Sequence, residues 1–491
     1  MRVQLRYLCL LLGALIVITF NLNGGASQLD LEGRIDRLIT SQMAAADLPG
    51  LALAITHHHA VLHVQGYGTA SKGQPVTPQT QFLLGSLSKS FTALAVMQLV
   101  EAGSIDLDAP VQTYLPEFTL AEPTIAAQIT IRHLLNQVSG LSDLGFPELR
   151  LSQATTIRDR VTSLGKARPL TSPGTQFHYF NPNYEVLARV VEVISQQPFS
   201  IYLQTHIFMP LQMSQTLNVI TTSEALQQAT HLAQGHLMAF GIPVATPELS
   251  GYLGGSSGVI STAEDMAHYL ILQTNAGRFR DTNLLSAKDM TLMHTPPPNI
   301  SSAYGMGWFN TIEKGQPAWE HNGILSTFYA EVVLLPQAQY GIALLYNISA
   351  LPLIALALPQ IKTGLIQILM DEQPVSSGLS MINLWNITTA LLLLIAVVLA
   401  IRRLLHLPQW QQAMRRTSPE RLWLKIGWAF LPAIVLLAMP WLIALVSDRF
   451  FGYGLLWRSM LDIMIWLSVC AGLGALTGIT QIVFLLQNRR C

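Results

Sequence analysis

Three long apolar stretches, roughly 383–401, 426–447 and 460–486, close the chain and divide it into a part suited to water and a part that is not. Each is close to or above the ~20 residues a helix needs to cross a bilayer. The first two are separated by RRLLHLPQWQQAMRRTSPERLWLK, which carries six Lys/Arg and one Glu, and the chain runs out in QNRRC. Positive segments stay on the cytoplasmic side, so this loop and the C-terminus are expected inside. An odd number of spans then places residues 28–380 outside. The N-terminus agrees: MRVQLRYLCLLLGALIVITF sets two arginines ahead of an unbroken apolar run, followed by small residues in NGGAS. That is the pattern of an export signal, or of an uncleaved anchor. The expected organisation is a signal or anchor over 1–27, an extracytoplasmic domain over 28–372, a linker over 373–382 and a membrane region over 383–491. The protein is thus expected to be a multi-pass protein of the cell membrane.

The formal net charge of zero hides an asymmetry. Residues 28–381 hold 16 Lys/Arg and 25 Asp/Glu, whereas residues from 382 onward hold 10 and 3. An acidic exported domain argues against nucleic acid as a partner. The three cysteines, Cys9, Cys470 and Cys491, all lie outside that domain. It therefore has neither a disulfide framework nor a cysteine metal site to draw on, and at this length it can bury a core without one.

Within the exported domain, LPGLALAITHHHAVLHVQGYG (48–68) has two apolar runs around a short polar break, the pattern of a hairpin. From about 83 to 250 the texture is mostly helical. From 319 it returns to strand in AWEHNG, TFYAEVVLLP and YGIALLYN, and a helical run follows. Strands at both ends and helices between predict an α/β domain: one sheet built from the two ends, flanked by helices, with an all-α insertion.

One helix start stands out. In LLGSLSKSFTALAVMQLV (83–100) the only charge is Lys89, three residues after Ser86 in an otherwise apolar run. Residues three apart share a helix face, so Ser86 and Lys89 are expected to touch. Ser86 would also sit at the positive end of the helix dipole. Apolar walls disfavour the charged form of lysine, and a neutral amine beside a serine hydroxyl activates it as a nucleophile. The plainer reading is an N-cap serine with a snorkelling lysine.

FLLGSLSKSFTALAVMQLVEAGSIDLDAPVQTYLPEF resembles the start of the serine β-lactamase and penicillin-binding protein superfamily, in its class C-like branch. ITIRHLLNQVSGLSDL (129–144), SPGTQFHYFNPNYEVLARVVE (172–192) and GGSSGVISTAEDMAHYL (254–270) continue the likeness in order. The resemblance implies a β-lactamase/DD-peptidase-like fold and an acyl-enzyme mechanism on amide or ester substrates. It matches Tyr-x-Asn to Tyr179 and Asn181, which implies that Tyr179 relays the proton and Asn181 binds the substrate amide. It matches the third motif to His321-Asn322-Gly323, with His321 and Gly323 at the substrate. The backbone N–H groups of Ser86 and Ile324 would then form the oxyanion hole. No metal and no organic cofactor are implied. Histidine is only partly charged near neutrality, so His321 is a poorer anchor for a carboxylate than the lysine usual there. That favours amidase, aminopeptidase or esterase readings over an efficient β-lactamase. The expected partner is a small molecule or peptide: cell-wall peptide, β-lactam or ester.

Other motifs are weighed and set aside. The literal KTG at 362–364 lies in an apolar run of helical texture. GGSSG (254–258) lacks the preceding strand of a nucleophile elbow. HHH (57–59) falls where the hairpin should turn. SLGK (163–166) has no apolar helix behind it. A membrane-bound β-lactam sensor would carry H-E-x-x-H in its membrane part, which this chain lacks. An inactive cell-wall-peptide-binding module is disfavoured by the presence of all three motifs. No ionisable residue lies at mid-depth of a span, against a transport path. Gly474 and Gly478 form a small-residue face suited to helix packing, with self-association in view.

Overall fold

The computed structural model describes residues 30–488 apart from 149–150, 152, 154, 375–379, 407–408, 410–411 and 413–416. The expected signal or anchor, residues 375–379 of the 373–382 linker and the C-terminal arginines lie outside these residues.

Strand Gly50–His57 shows why the sheet forms. Its sequence GLALAITH alternates large and small apolar residues, and successive side chains on a strand point to opposite faces. Leu51, Leu53 and Ile55 join one buried cluster with Leu38, Ile361 and Leu365. Ala52 and Ala54 join the other with Met97, Leu270 and Tyr269. Both faces are buried, so the strand reads as continuously apolar rather than alternating polar and apolar. His58 and His59 occupy the turn to Ala60–Ser71.

Seven antiparallel strands form the main sheet in the order Phe309–Glu313, Gln316–Ile324, Tyr329–Leu335, Tyr340–Tyr346, Gly50–His57, Ala60–Ser71, Gln74–Pro75. The C-terminal strands thus enter beside the N-terminal hairpin, through the pairing of Leu51 with Tyr346. This is the sheet built from both ends. The insertion departs from expectation in one respect: it is largely helical but contains several strands of two to four residues. One of these, Val259–Ser261, pairs with Phe82–Leu83 and so fixes the start of the central helix.

That central helix, Ser88–Glu101, is buried from Ser88 through Met97. A helix enclosed on all sides needs no polar face, which accounts for its composition. Each polar side chain in its first turns has a partner. Ser88 Oγ accepts from Val259 N at 2.9 Å, Ser90 Oγ donates to Leu87 O at 2.8 Å, and Thr92 Oγ1 donates to Gly255 O at 2.6 Å.

Among the described residues, four segments are long and apolar enough to cross a membrane: Leu351–Leu369, Met381–Leu399, Ile426–Ser447 and Leu461–Val483. The first is broken at Ala357 and packs on the sheet, where Leu353, Ile361 and Leu365 are buried; it is a core element. The KTG of 362–364 lies on it, and Lys362 bridges Glu313, Glu320 and Glu331. The other three coincide with the sequence-predicted spans. In the last, a Cβ at Gly474 would meet Ala429 O and one at Gly478 would meet the Phe430 ring. The glycine face is therefore filled by the preceding helix of the same chain.

Candidate active site

Ser86 sits in a single tight turn, Gly85–Leu87, that runs into the central helix. Gly85 has φ +53°, a conformation glycine adopts without strain. Strand Gln316–Ile324 approaches this turn closely. A Cβ on Gly85 would lie 3.2 Å from Ile324 N, and one on Gly323 would lie 2.9 Å from Ser86 N and overlap Leu84 O. Only glycines let the two backbones come together, and the backbone nitrogens of Ser86 and Ile324 lie at that contact.

Lys89 Nζ lies 3.0 Å from Ser86 Oγ and 2.9 Å from the carbonyl of Ser256. Its side chain is fully buried and makes no ion pair among the described residues. Burial holds its pKa well below the ordinary lysine value. The charge of Arg449 pushes the same way, and Glu148 and Glu185 push against it. The GGSSG segment thus serves this site through the backbone of Ser256.

Tyr179 and Asn181 are set just before helix Pro182–Ser195, whose first residue, proline, suits a position without an intrahelical N–H partner. The Tyr179 ring centroid lies 5.0 Å from Lys89 Nζ, and its phenol is close enough to Ser86 for that hydroxyl to act on its proton affinity. Burial pushes its pKa up to about 12, against the pull of Arg449 and of the nearby Ser86. Proximity to cations leads one to expect an easier loss of its proton, but burial outweighs them, so the resting group is a neutral phenol. Asn181 donates to Glu148 Oε2 at 2.9 Å, while its own Oδ1 is buried with no partner among the described residues.

His321 is 1% exposed and both its ring nitrogens are engaged. Nδ1 is 2.7 Å from the Asn322 carbonyl, which can only accept, so Nδ1 carries the hydrogen. Nε2 then accepts from the Tyr304 hydroxyl at 3.2 Å. Burial, with the charge of Lys89, lowers its pKa to about 3. It is neutral near pH 7, so it offers no cation to a substrate.

Sequence reasoning passed over two further groups. One is a buried network in which Arg160 bonds Glu185 at 2.8 Å and Glu148 at 2.9 Å, tying helix Pro182–Ser195 to the loop that orients Asn181. The other comes from the turn between the last two long apolar helices. Arg449 Nε bonds Asp143 Oδ2 at 2.9 Å, and its guanidinium carbon lies 4.9 Å from the Tyr179 ring centroid. Phe450 N also donates to Asp143, and Asp448 pairs with His178. A signal was present in SDRF at 447–450: an arginine in a short connector where the expected topology places few positive charges.

Fold and cleft together define the class: this is the serine β-lactamase and penicillin-binding protein superfamily. The chain belongs to the family described as Beta-lactamase, which matches residues 35–357. Protein flp of Staphylococcus aureus strain MW2 is 26% identical over 470 residues, covering 93% of this chain and 91% of its own. Penicillin-binding protein 4 of Amycolatopsis lactamdurans is 29% identical over 319 residues, covering 61% and 81% respectively. Among solved structures, the octameric penicillin-binding protein homologue from Pyrococcus abyssi superposes with TM-score 0.57 at 25% identity, over 70% of this chain and 78% of that one. EstCE1, a hydrolase with promiscuous acyltransferase activity, superposes with TM-score 0.56 at 20% identity over 70% and 98%.

Proposed function

We propose that this protein is a membrane-anchored serine hydrolase acting through an acyl-enzyme on amide or ester substrates. The observation that carries the reading is a fully buried lysine with no ion-pair partner among the described residues, 3.0 Å from a serine hydroxyl at a helix start. In its neutral form Lys89 takes the Ser86 proton as Oγ attacks the carbonyl carbon. The negative oxygen that forms takes hydrogen bonds from the amides of Ser86 and Ile324, a reading supported by the close approach of the two backbones at Gly85 and Gly323. Tyr179, close to both Ser86 and Lys89, passes a proton to the leaving nitrogen or oxygen as its bond to the acyl carbon breaks, and regains one from the Lys89 ammonium. Water then releases the acyl group as an acid, with the same residues acting in reverse order. The unpartnered Asn181 Oδ1 suits an amide N–H on the substrate, and the glycine at 323 lets that substrate lie along the strand. His321 supports the strand and holds Tyr304.

A DD-peptidase, D-aminopeptidase or β-lactamase activity fits these parts, and penicillin-binding protein 4 supports that side. A carboxylesterase is the second reading. It is favoured by the neutrality of His321, which removes the strand cation suited to a carboxylate. The contact between the 448–450 turn and the catalytic domain supports a common side of the membrane for both. With the basic 402–425 segment cytoplasmic, that side is extracytoplasmic and the C-terminus is inside.

The test is incubation of the full-length protein with a fluorescent penicillin and an activated chromogenic ester, with mass mapping of the adduct. An acyl group on Ser86, absent in Ser86→Ala, is expected from one probe or both. Unlabelled Ser86 with both probes, or undiminished turnover in Ser86→Ala, would overturn the assignment.

A further inference from the structure

The helices that anchor the chain also reach its chemistry. Of the cations near Ser86, Lys89 is disfavoured in its charged form by burial, and His321 is neutral. Arg160 is 2% exposed and committed to two carboxylates. Arg449 is left. Only its Nε is bonded, to Asp143; its two Nη groups have no hydrogen bond among the described residues, and the side chain is 21% exposed. It does not hang loosely over the site. The turn is pinned on both sides of it, by Asp448 to His178 and by Phe450 N to Asp143. The docking continues outward through Arg458, 3.3 Å from Ser326 Oγ, and through Asp462, which accepts from Phe240 N at 2.7 Å.

We propose that Arg449 is a positioning residue of the Ser86 centre, supplied by the C-terminal helical region, so that catalysis depends on docking of that region against the domain. The inference rests on the hydrolase reading above. Its geometric basis is the shared tyrosine: Lys89 Nζ and the Arg449 guanidinium carbon lie 5.0 and 4.9 Å from the one Tyr179 ring centroid. The two basic groups are therefore within about 10 Å of each other, with Tyr179 close to both. Other groups facing Lys89 are Glu148 and Glu185, which favour its protonation, and the neutral His321, Tyr179 and Tyr184. Asp143, 1% exposed, faces Arg449 and fixes it in place. A fixed positive charge at this distance opposes protonation of Lys89 and favours loss of the Tyr179 proton. It therefore keeps the base neutral and eases the relay at the same time.

The experiment compares the pH dependence of Ser86 acylation in full-length wild type, Arg449→Gln and Arg449→Lys, with a thermal melt for each. Without the charge, Lys89 holds its proton to higher pH. The acidic limb of the Arg449→Gln profile is expected to move up by about one pH unit, the order given by two charges about 10 Å apart in a medium of effective dielectric near 20. Arg449→Lys should restore most of the wild-type profile. A wild type that leaves Ser86 unlabelled refutes the hydrolase reading and this inference with it. Acylated wild type with an unmoved limb in Arg449→Gln refutes this inference alone. So does equal loss in both variants with no displacement of the limb, because a merely structural arginine would behave that way.

Discussion

Replacing Tyr179 by phenylalanine isolates the proton relay from everything else the ring does. The ring lies within 5.0 Å of Lys89 Nζ and 4.9 Å of the Arg449 guanidinium carbon, near-parallel to Phe309 at 6.4 Å and edge-on to Tyr304 at 6.0 Å. All of these contacts survive in Tyr179→Phe, and what goes is one hydroxyl close to Ser86. Loss of a single hydrogen bond costs about 0.5–1.5 kcal/mol of stability, a few degrees of melting temperature at most for a domain this large. Loss of a positioned proton carrier costs about 10²–10⁴ in rate, which at 1.36 kcal/mol per decade is about 2.7–5.5 kcal/mol of barrier. The two effects are well separated. Turnover of whichever probe acylates Ser86 should fall by that factor in kcat with KM little changed, because a carrier acts in the transition state. A change confined to KM, or a kcat within fivefold of wild type, would refute the relay role.

Gly323→Ala should drive the strand away from the Ser86 turn, since the added methyl overlaps Leu84 O. A loss of about 10²–10³ in kcat is expected if the Ile324 amide is an oxyanion donor, measured beside a melt that reports any cost to the sheet. His294 is buried and stacked on Trp319 at 3.9 Å, with neither ring nitrogen hydrogen-bonded to a described side chain or backbone carbonyl. Burial lowers its pKa to about 3. Between about 6.5 and 3 the unfolded chain binds a proton there that the folded one does not. Stability therefore falls as pH drops through that window, by up to about 1.4 kcal/mol per unit from this residue. His294→Phe should flatten that slope in melts taken from pH 7 to 4, and an unchanged slope would count against the neutral buried imidazole.

What the sequence made legible follows from how local each signal was. Ser86 and Lys89 are three residues apart on one turn, so their contact required only a helix. The hairpin at 48–68 and the late strands showed themselves by their apolar runs, and the sheet joining both ends followed from their order. Tyr179 and Asn181 lie some ninety residues from the serine, and their place needed the likeness to a family. His321 was located in the same way, but its charge state was not readable. That depends on Tyr304, on the Asn322 carbonyl and on enclosure from several elements at once. The Arg160–Glu185–Glu148 network was missed because its members are unremarkable one at a time. Arg449 escaped for a different reason: it sits in the connector between two apolar helices and not at mid-depth of either, so the usual mark of a functional charge in a span does not apply to it.

That last omission bears on how the chain works as a whole. A catalytic domain on a flexible tether would need nothing from its anchor except length. Here Gly474 and Gly478 bring the last long helix against Ala429 and Phe430 of the one before it. This packing sets where the turn between them emerges, and Arg449 reaches Tyr179 only if the turn emerges there. The turn also spends two hydrogen bonds on Asp143, a carboxylate buried at 1% exposure that would be costly to leave unpaired. Undocking the helices would strand that carboxylate and withdraw the site's accessible cation in one movement. On the proposed reading, the contact that docks the apolar helices on the domain would also supply Arg449 to the cleft, so the packing of those helices and the readiness of Ser86 would be physically coupled.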